Sequence, residues 1–147
     1  MYYFIMSPLK KCILEKATKP TPIWLMRQAG RYLPEFREIR LKNPNFINLC
    51  LNDNLSSEIT LQPLKRFDFD AAIIFSDILM LPFGIGQNVE FIKNFGPVLG
   101  ELNLEESLNV TDIHFTKKLY PVYKAIRKVS EDRILHNKDL IGFVGAP

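Results

Sequence analysis

Two apolar runs, at residues 70–75 and 140–145, constrain the fold of this chain more than any other feature. Neither run alternates apolar and polar residues, which is typical of strands buried on both faces of a parallel sheet. Between them, apolar residues at helical spacing predict a long helix over residues 107–130, kinked or broken at Pro121. Strand, crossover helix and strand predict an α/β fold in which a second βα unit is beginning.

Two parallel strands with open edges are poorly stable by themselves. We therefore expect the fold to need further strands, and we treat residues 1–147 as a single, truncated domain. The sequence shows no internal repeat or linker that would divide it.

The remaining segments carry shorter signals. Pro34 suits the first turn of a helix, because that position has no use for the missing N–H. Asn43 and Pro44 would end that helix. Helices are predicted at 8–17, 34–41, 45–51 and 54–66 (the last kinked at Pro63), an extended run at 23–26, a loop at 27–32, and a hairpin from 89–91 and 97–99.

Composition excludes several classes of protein. Hydrophobic residues make up 47% of the 147, which is too many for a disordered chain. A net charge of +3 does not suggest a nucleic-acid arm or a polybasic membrane segment. The apolar start is short and lacks the charged flank of a signal peptide, and no run approaches ~20 apolar residues. We expect a cytoplasmic protein.

The two cysteines, Cys12 and Cys50, stand among leucine and isoleucine in no metal-binding spacing. This setting favours buried free thiols over the alternatives of a disulfide or a metal site. Free thiols fit a reducing compartment.

Two arginines flank a glycine-containing loop at residues 27–31. The planar guanidinium matches carboxylates in a bidentate way, and glycine lets backbone N–H groups approach a ligand closely. The pattern therefore predicts an anion clamp, to which Arg40 would add a third cation if its helix packs back over the loop. The alternative is a solvated basic surface.

Asp77 directly follows the first buried strand. In α/β barrels the carboxyl end of a strand is where catalytic groups lie. A carboxylate there is costly unless a cation or N–H groups meet it. The alternative is an ordinary role in capping the turn that follows.

Three weaker signals favour structural roles. Gly84 and Gly86 lack the third glycine of a dinucleotide-binding loop, so a turn is the better interpretation. His114 and His136 each lack a neighbouring ligand, which favours surface positions over metal coordination.

Residues 22–37 closely resemble the signature of the uroporphyrinogen decarboxylase family. Residues 61–66 and 70–79 resemble the same family, and residues 142–147 resemble the opening of its second signature. The resemblance runs in order along essentially the whole chain. It implies a (β/α)8 barrel, here incomplete, with the N-terminal helices and about the first two strands. It also implies a homodimer that uses no metal or organic cofactor.

The family's reaction converts the four acetate side chains of uroporphyrinogen to methyl groups, giving coproporphyrinogen and carbon dioxide. By resemblance, Asp77 would accept hydrogen bonds from the pyrrole N–H groups, and Phe46 would add an apolar wall. The residues expected to meet substrate carboxylates through side chain or backbone are Arg27, Gln28, Ala29, Gly30, Arg31 and Arg40. The family's Tyr, Ser or Thr, and His lie in a later part of its sequence, so we expect this chain alone to be inactive.

Three other readings are open. The chain could be a non-catalytic fragment that associates with a complementing chain through its strand edges. A related barrel methyltransferase would lack the 27–31 run and carry a zinc site. A small nucleic-acid-binding domain disagrees with the low net charge.

Overall fold

The computed structural model describes residues 6–17, 19–26, 32–92 and 94–145. Within these ranges it contains α-helices, one 3₁₀ turn at Arg133–Leu135 and four short strands. The helices are α1 Pro8–Glu15, α2 Pro34–Lys42, α3 Phe46–Cys50, α4 Asp53–Arg66, α5 Met80–Gly84, α6 Leu104–Leu108 and α7 Asp112–Ser130. The strands are β1 Ala71–Ile73, β2 Val89–Ile92, β3 Gly96–Leu99 and β4 Asp139–Ile141.

The two apolar runs form a parallel pair, as predicted. Ala71 lies opposite Asp139 and Ile73 opposite Ile141. The N–H of Ile74 donates to the carbonyl of Ile141 at 3.1 Å, which extends the ladder by one bond. Both strands are shorter than the apolar runs that predicted them. The burial predicted for the second run is wrong, because β4 is only half-buried and residues 142–145 are exposed and outside the strand. The described chain is therefore a mixed helix and strand arrangement, consistent with part of an α/β fold.

Residues of β1 and its extension face two separate groups of buried side chains. Phe75 packs in one cluster with Leu49 and Ile59, whereas Ala72 and Ile74 pack in a second cluster with Ala125 and Val129. This alternation follows from the two-residue period of a strand. It confirms that the first apolar run is buried on both faces.

Helix α4 lies between the same two clusters. Ile59 contributes to the first cluster, while Leu61 and Leu64 contribute to the second. Pro63 lies inside this helix, which continues to Arg66. The helices predicted around residues 8–17, 34–41, 45–51 and 54–66 are all present, and Pro34 opens α2.

The single helix predicted over residues 107–130 is wrong at its start. The structure has the short α6 and then α7, which begins after Thr111. The Thr111 hydroxyl accepts a hydrogen bond from the His114 N–H at 3.3 Å and so caps α7. Pro121 does not break α7, which runs through it to Ser130.

The predicted hairpin is confirmed by β2 and β3, which pair antiparallel with Val89 opposite Leu99. Asn94 and Gly96 adopt positive φ angles of 68° and 106° at its turn. Glycine reaches this region without a Cβ penalty. The hairpin brings Phe91 against the first cluster.

Both cysteines are free thiols, as predicted. Cys50 is fully buried, as predicted, whereas the predicted burial is wrong for Cys12, which is only half-buried on α1. In the part of the chain that the structure describes, no helix is long and apolar enough to cross a membrane.

Candidate active site

Asp77 lies four residues beyond β1, at the carboxyl end of the strand. Its Oδ1 accepts a hydrogen bond from the Leu79 N–H at 2.9 Å, and its carbonyl accepts one from the Met80 N–H at 3.1 Å. The capping role considered as the alternative is therefore present. Oδ2 makes no hydrogen bond to the described residues, and the side chain is only half-buried. One carboxylate oxygen is fixed and the other can accept from a ligand.

Arg40 lies in the last turn of α2 and is half-buried. Its Nη1 donates to the carbonyls of Asn43 at 2.8 Å and Pro44 at 3.2 Å. A guanidinium carries five N–H donors, so these two bonds occupy only part of its capacity. Arg40 is thus held in place by the end of its own helix while donors remain for an anion.

The ring of Phe46 links Arg40 to the strand end. The Arg40 guanidinium lies 5.3 Å from the Phe46 ring centre, within cation–π range. Phe46 also meets the rings of Phe75 at 5.8 Å and Phe91 at 4.6 Å. Tilted and edge-to-face pairs of this kind contribute about 0.5–1.5 kcal/mol each. Phe46 is therefore part of an aromatic cluster, and its role as an apolar wall for a substrate stays a prediction.

The pKa of the buried Cys50 thiol is affected by both Asp77 and Arg40. Burial raises the pKa of this thiol to about 12, and the Asp77 carboxylate adds to the increase while Arg40 opposes it. A thiol with this pKa stays protonated at neutral pH and is not a nucleophile.

The predicted anion clamp cannot be placed, because Arg27, Gln28, Ala29, Gly30 and Arg31 lie outside the described residues. The segments on either side of them are anchored. The Ile23 N–H donates to Asp70 Oδ2 at 2.7 Å, and the Asp70 N–H donates to the Ile23 carbonyl at 2.8 Å, just before β1. On the other side, Leu33 packs in the same cluster as Phe75.

The structural interpretations of the glycines and histidines hold. Gly84 ends α5 against the Phe115 ring, where an added Cβ would lie 2.5 Å from Cε2. Gly86 has a φ of 102° in the turn that follows. His114 and His136 are exposed. Among the described residues, no group of three or more His, Cys, Asp or Glu is placed to hold a metal ion.

Two residues that hold the backbone next to Asp77 were not predicted from the sequence. Ser56 and Thr60, on the buried face of α4, bond to the backbone of Phe75. Two hydroxyl residues four apart on an apolar helix face would have been the available signal.

Comparison with known proteins decides the family. The family model described as Uroporphyrinogen decarboxylase (URO-D) matches residues 6–147. The chain belongs to the uroporphyrinogen decarboxylase family.

Curated members of the family are similar along the same stretch. The uroporphyrinogen decarboxylase of Rickettsia felis is 46% identical over 143 residues, covering 97% of this chain and 40% of the relative. That of Chelativorans sp. is 46% identical over 128 residues, covering 87% of this chain and 37% of the relative. The chain therefore spans about 40% of the length of the curated relatives it matches.

Proposed function

We propose that this chain is the N-terminal part of a uroporphyrinogen decarboxylase and carries part of its substrate site. The observation that supports this most is the position of Asp77 at the carboxyl end of a buried parallel strand, to which Arg40 is connected through the rings of Phe46 and Phe75. The family match over residues 6–147 is the basis for assigning a role in decarboxylation to these residues.

Asp77 is proposed to stabilise the charge that develops during decarboxylation. Protonation of a pyrrole ring carbon makes a cation, and the electrons of the acetate C–C bond flow into it as carbon dioxide leaves. A fixed carboxylate beside the pyrrole N–H groups stabilises that cation, and preorganised groups of this kind usually make the largest catalytic contribution. The hydrogen bond from Leu79 to Oδ1 supplies the fixation, and Oδ2 is the proposed acceptor for the pyrrole N–H groups.

The arginines are proposed to bind the carboxylates of the tetrapyrrole. Arg40 would use the donors that its contacts to Asn43 and Pro44 leave available. Arg27 and Arg31 would form the rest of the clamp, together with the backbone of Gln28, Ala29 and Gly30. Arg27 as the proton donor is the less favoured idea, because an arginine is a poor acid at neutral pH. Phe46 would face the apolar edge of the macrocycle.

The architecture proposed for the complete enzyme is a (β/α)8 barrel that forms a homodimer. In it, β1 and β4 would be the first two barrel strands, and residues 1–147 would be the truncated start of a single domain. The substrate supplies its own electron sink, so no cofactor is proposed.

The proposal is tested in a chimaera in which residues 1–147 replace the matching part of the Rickettsia felis relative. The unmodified chimaera should release carbon dioxide from uroporphyrinogen. Asp77→Asn keeps the acceptor for Leu79 but removes the charge, and should lower turnover about 100-fold or more.

Asp132→Asn is the matched control, because Asp132 Oδ1 accepts from the Ile134 N–H at 2.9 Å in the same local geometry. It should leave turnover unchanged. Near-normal turnover in the Asp77→Asn chimaera would contradict the assigned role.

A further inference from the structure

Two buried hydroxyl groups on α4 bond both backbone polar groups of Phe75. The Ser56 hydroxyl donates to the Phe75 carbonyl at 2.6 Å, and the Phe75 N–H donates to Thr60 Oγ1 at 2.8 Å. The Thr60 hydroxyl in turn donates to the Ser56 carbonyl at 2.7 Å. Ser56 and Thr60 are 0% and 1% exposed, so water does not compete for these bonds.

The bonds occur where the β1–β4 ladder ends. Ile74 makes the last backbone bond to β4, and Phe75 is the next residue. Successive residues of a strand direct their backbone groups to opposite edges. At Phe75 those groups meet α4, where side chains take the place of a neighbouring strand. A buried peptide group needs such partners, so the position of Phe75 is specified by α4.

Phe75 is connected to every described part of the candidate site. Asp77 follows it by two residues along the chain. Its ring contacts Phe46, which lies under the Arg40 guanidinium, and Phe36 at 6.0 Å. Movement of the Phe75 backbone would therefore displace both the carboxylate and the aromatic support of the cation.

We propose that Ser56 and Thr60 are positioning residues that fix Phe75 and thereby set the placement of Asp77 and the Phe46–Arg40 pair. As a statement about catalysis this rests on the proposed function. As a statement about geometry it is testable in this chain without substrate.

The test compares four variants of the 147-residue chain. Thr60→Val is nearly isosteric and removes the acceptor for the Phe75 N–H, and Thr60→Ser restores it. Ser56→Ala removes the donor to the Phe75 carbonyl. Ser57→Ala is the matched control, because the Ser57 hydroxyl donates to the Asn54 carbonyl within its own helix and does not bond β1.

The first readout is amide hydrogen exchange followed by NMR. Thr60→Val should accelerate exchange of the Phe75 amide by about tenfold or more and shift the Asp77 and Leu79 amide signals. Thr60→Ser should restore both, and Ser57→Ala should change neither. If Thr60→Val does not fold, Ser56→Ala decides the matter through the same Asp77 and Leu79 signals. Unchanged signals in the folded variant, or an equal change in Ser57→Ala, would overturn the inference.

The second readout is the affinity for coproporphyrinogen under anaerobic conditions. Thr60→Val should bind about tenfold more weakly, with recovery in Thr60→Ser. If the unmodified chain does not bind coproporphyrinogen, the claim that residues 1–147 by themselves present a binding site fails, while the proposed function is still decided by the chimaera. The positioning of Asp77 is then still decided by the exchange and chemical-shift result.

Discussion

Arg40 is held by hydrogen bonds within the protein and still has N–H donors available for a ligand. Its Nη1 is bonded to two carbonyls at the end of α2, and its planar face lies over Phe46. These contacts reduce the rotamer freedom that a free arginine would lose on binding an anion. The side chain is therefore partly preorganised for a carboxylate.

Substitution of Arg40 tests this role directly. Arg40→Ala should weaken coproporphyrinogen binding by about 10- to 100-fold, because a charge-assisted interaction contributes ~1.5–3 kcal/mol. Arg40→Lys keeps the charge but loses the planar fork, and should recover only part of the affinity. Equilibrium titration of the 147-residue chain measures both.

Arg127 provides the control for Arg40. It is highly exposed and pairs with Glu131, the residue that directly follows α7. Arg127→Ala removes the same charge from the chain and should leave binding unchanged. Equal losses in Arg127→Ala and Arg40→Ala would show that only net charge matters and would favour the solvated-surface interpretation.

Local patterns predicted Asp77 and Arg40 as site candidates, and the family resemblance added Phe46, but neither predicted the contacts that hold these residues. The contacts of Phe75 with Ser56 and Thr60 join positions 15 and 19 residues apart. Such pairs depend on how α4 packs against β1, which local patterns do not specify. The roles of Arg27 and Arg31 stay predictions.

At the scale of elements, periodicity predicted the parallel pair, the hairpin and most helices, because apolar spacing follows burial directly. It failed where a helix begins. The spacing of Leu119 and the apolar residues that follow it is equally compatible with a start at Ser107 or at Asp112. The break depends on Thr111, whose capping bond is a local feature that periodicity does not detect. The short α5 was missed because two of its five residues, Pro82 and Gly84, are poor helix formers.

Helices α2 and α4, which carry Arg40 and the Phe75 hydroxyl contacts, are joined by a two-point ion pair. Arg66 Nε lies 2.7 Å from Glu35 Oε1, and Arg66 Nη2 lies 2.9 Å from Glu35 Oε2. The hydrogen bonds from Arg66 hold the pKa of the Glu35 carboxyl below its usual value. A lowered folded-state pKa stabilises the fold while the group is ionised.

This pair predicts a pH dependence of stability. The contribution should be fully present above about pH 5 and be lost as the pH falls below about 4, through the lowered pKa. Acidification should therefore lower the urea midpoint of the unmodified chain, and this drop should be smaller in Glu35→Gln, where residue 35 no longer titrates. Glu38→Gln changes an exposed residue of the same helix and should show the same drop in urea midpoint as the unmodified chain. Identical pH profiles for Glu35→Gln and the unmodified chain would contradict the prediction.

At the scale of the whole molecule, the described part of the chain leaves large apolar side chains exposed. Trp24, Leu25 and Met26 precede the unplaced clamp, and Phe143 and Val144 follow β4. An exposed apolar surface of this kind is typical of a face that other parts of a protein cover. Relatives more than twice as long as this chain are consistent with that expectation.

The most direct test of the central claim is a thermal melt of the 147-residue chain by circular dichroism, with and without coproporphyrinogen, under reducing and anaerobic conditions. We predict a cooperative transition whose midpoint rises by roughly 5–10 °C at a ligand concentration of ~100 times Kd. The increase should be clearly smaller in Asp77→Asn and unchanged in Asp132→Asn. A cooperative transition that does not respond to the ligand would contradict the claim that this chain presents a tetrapyrrole site.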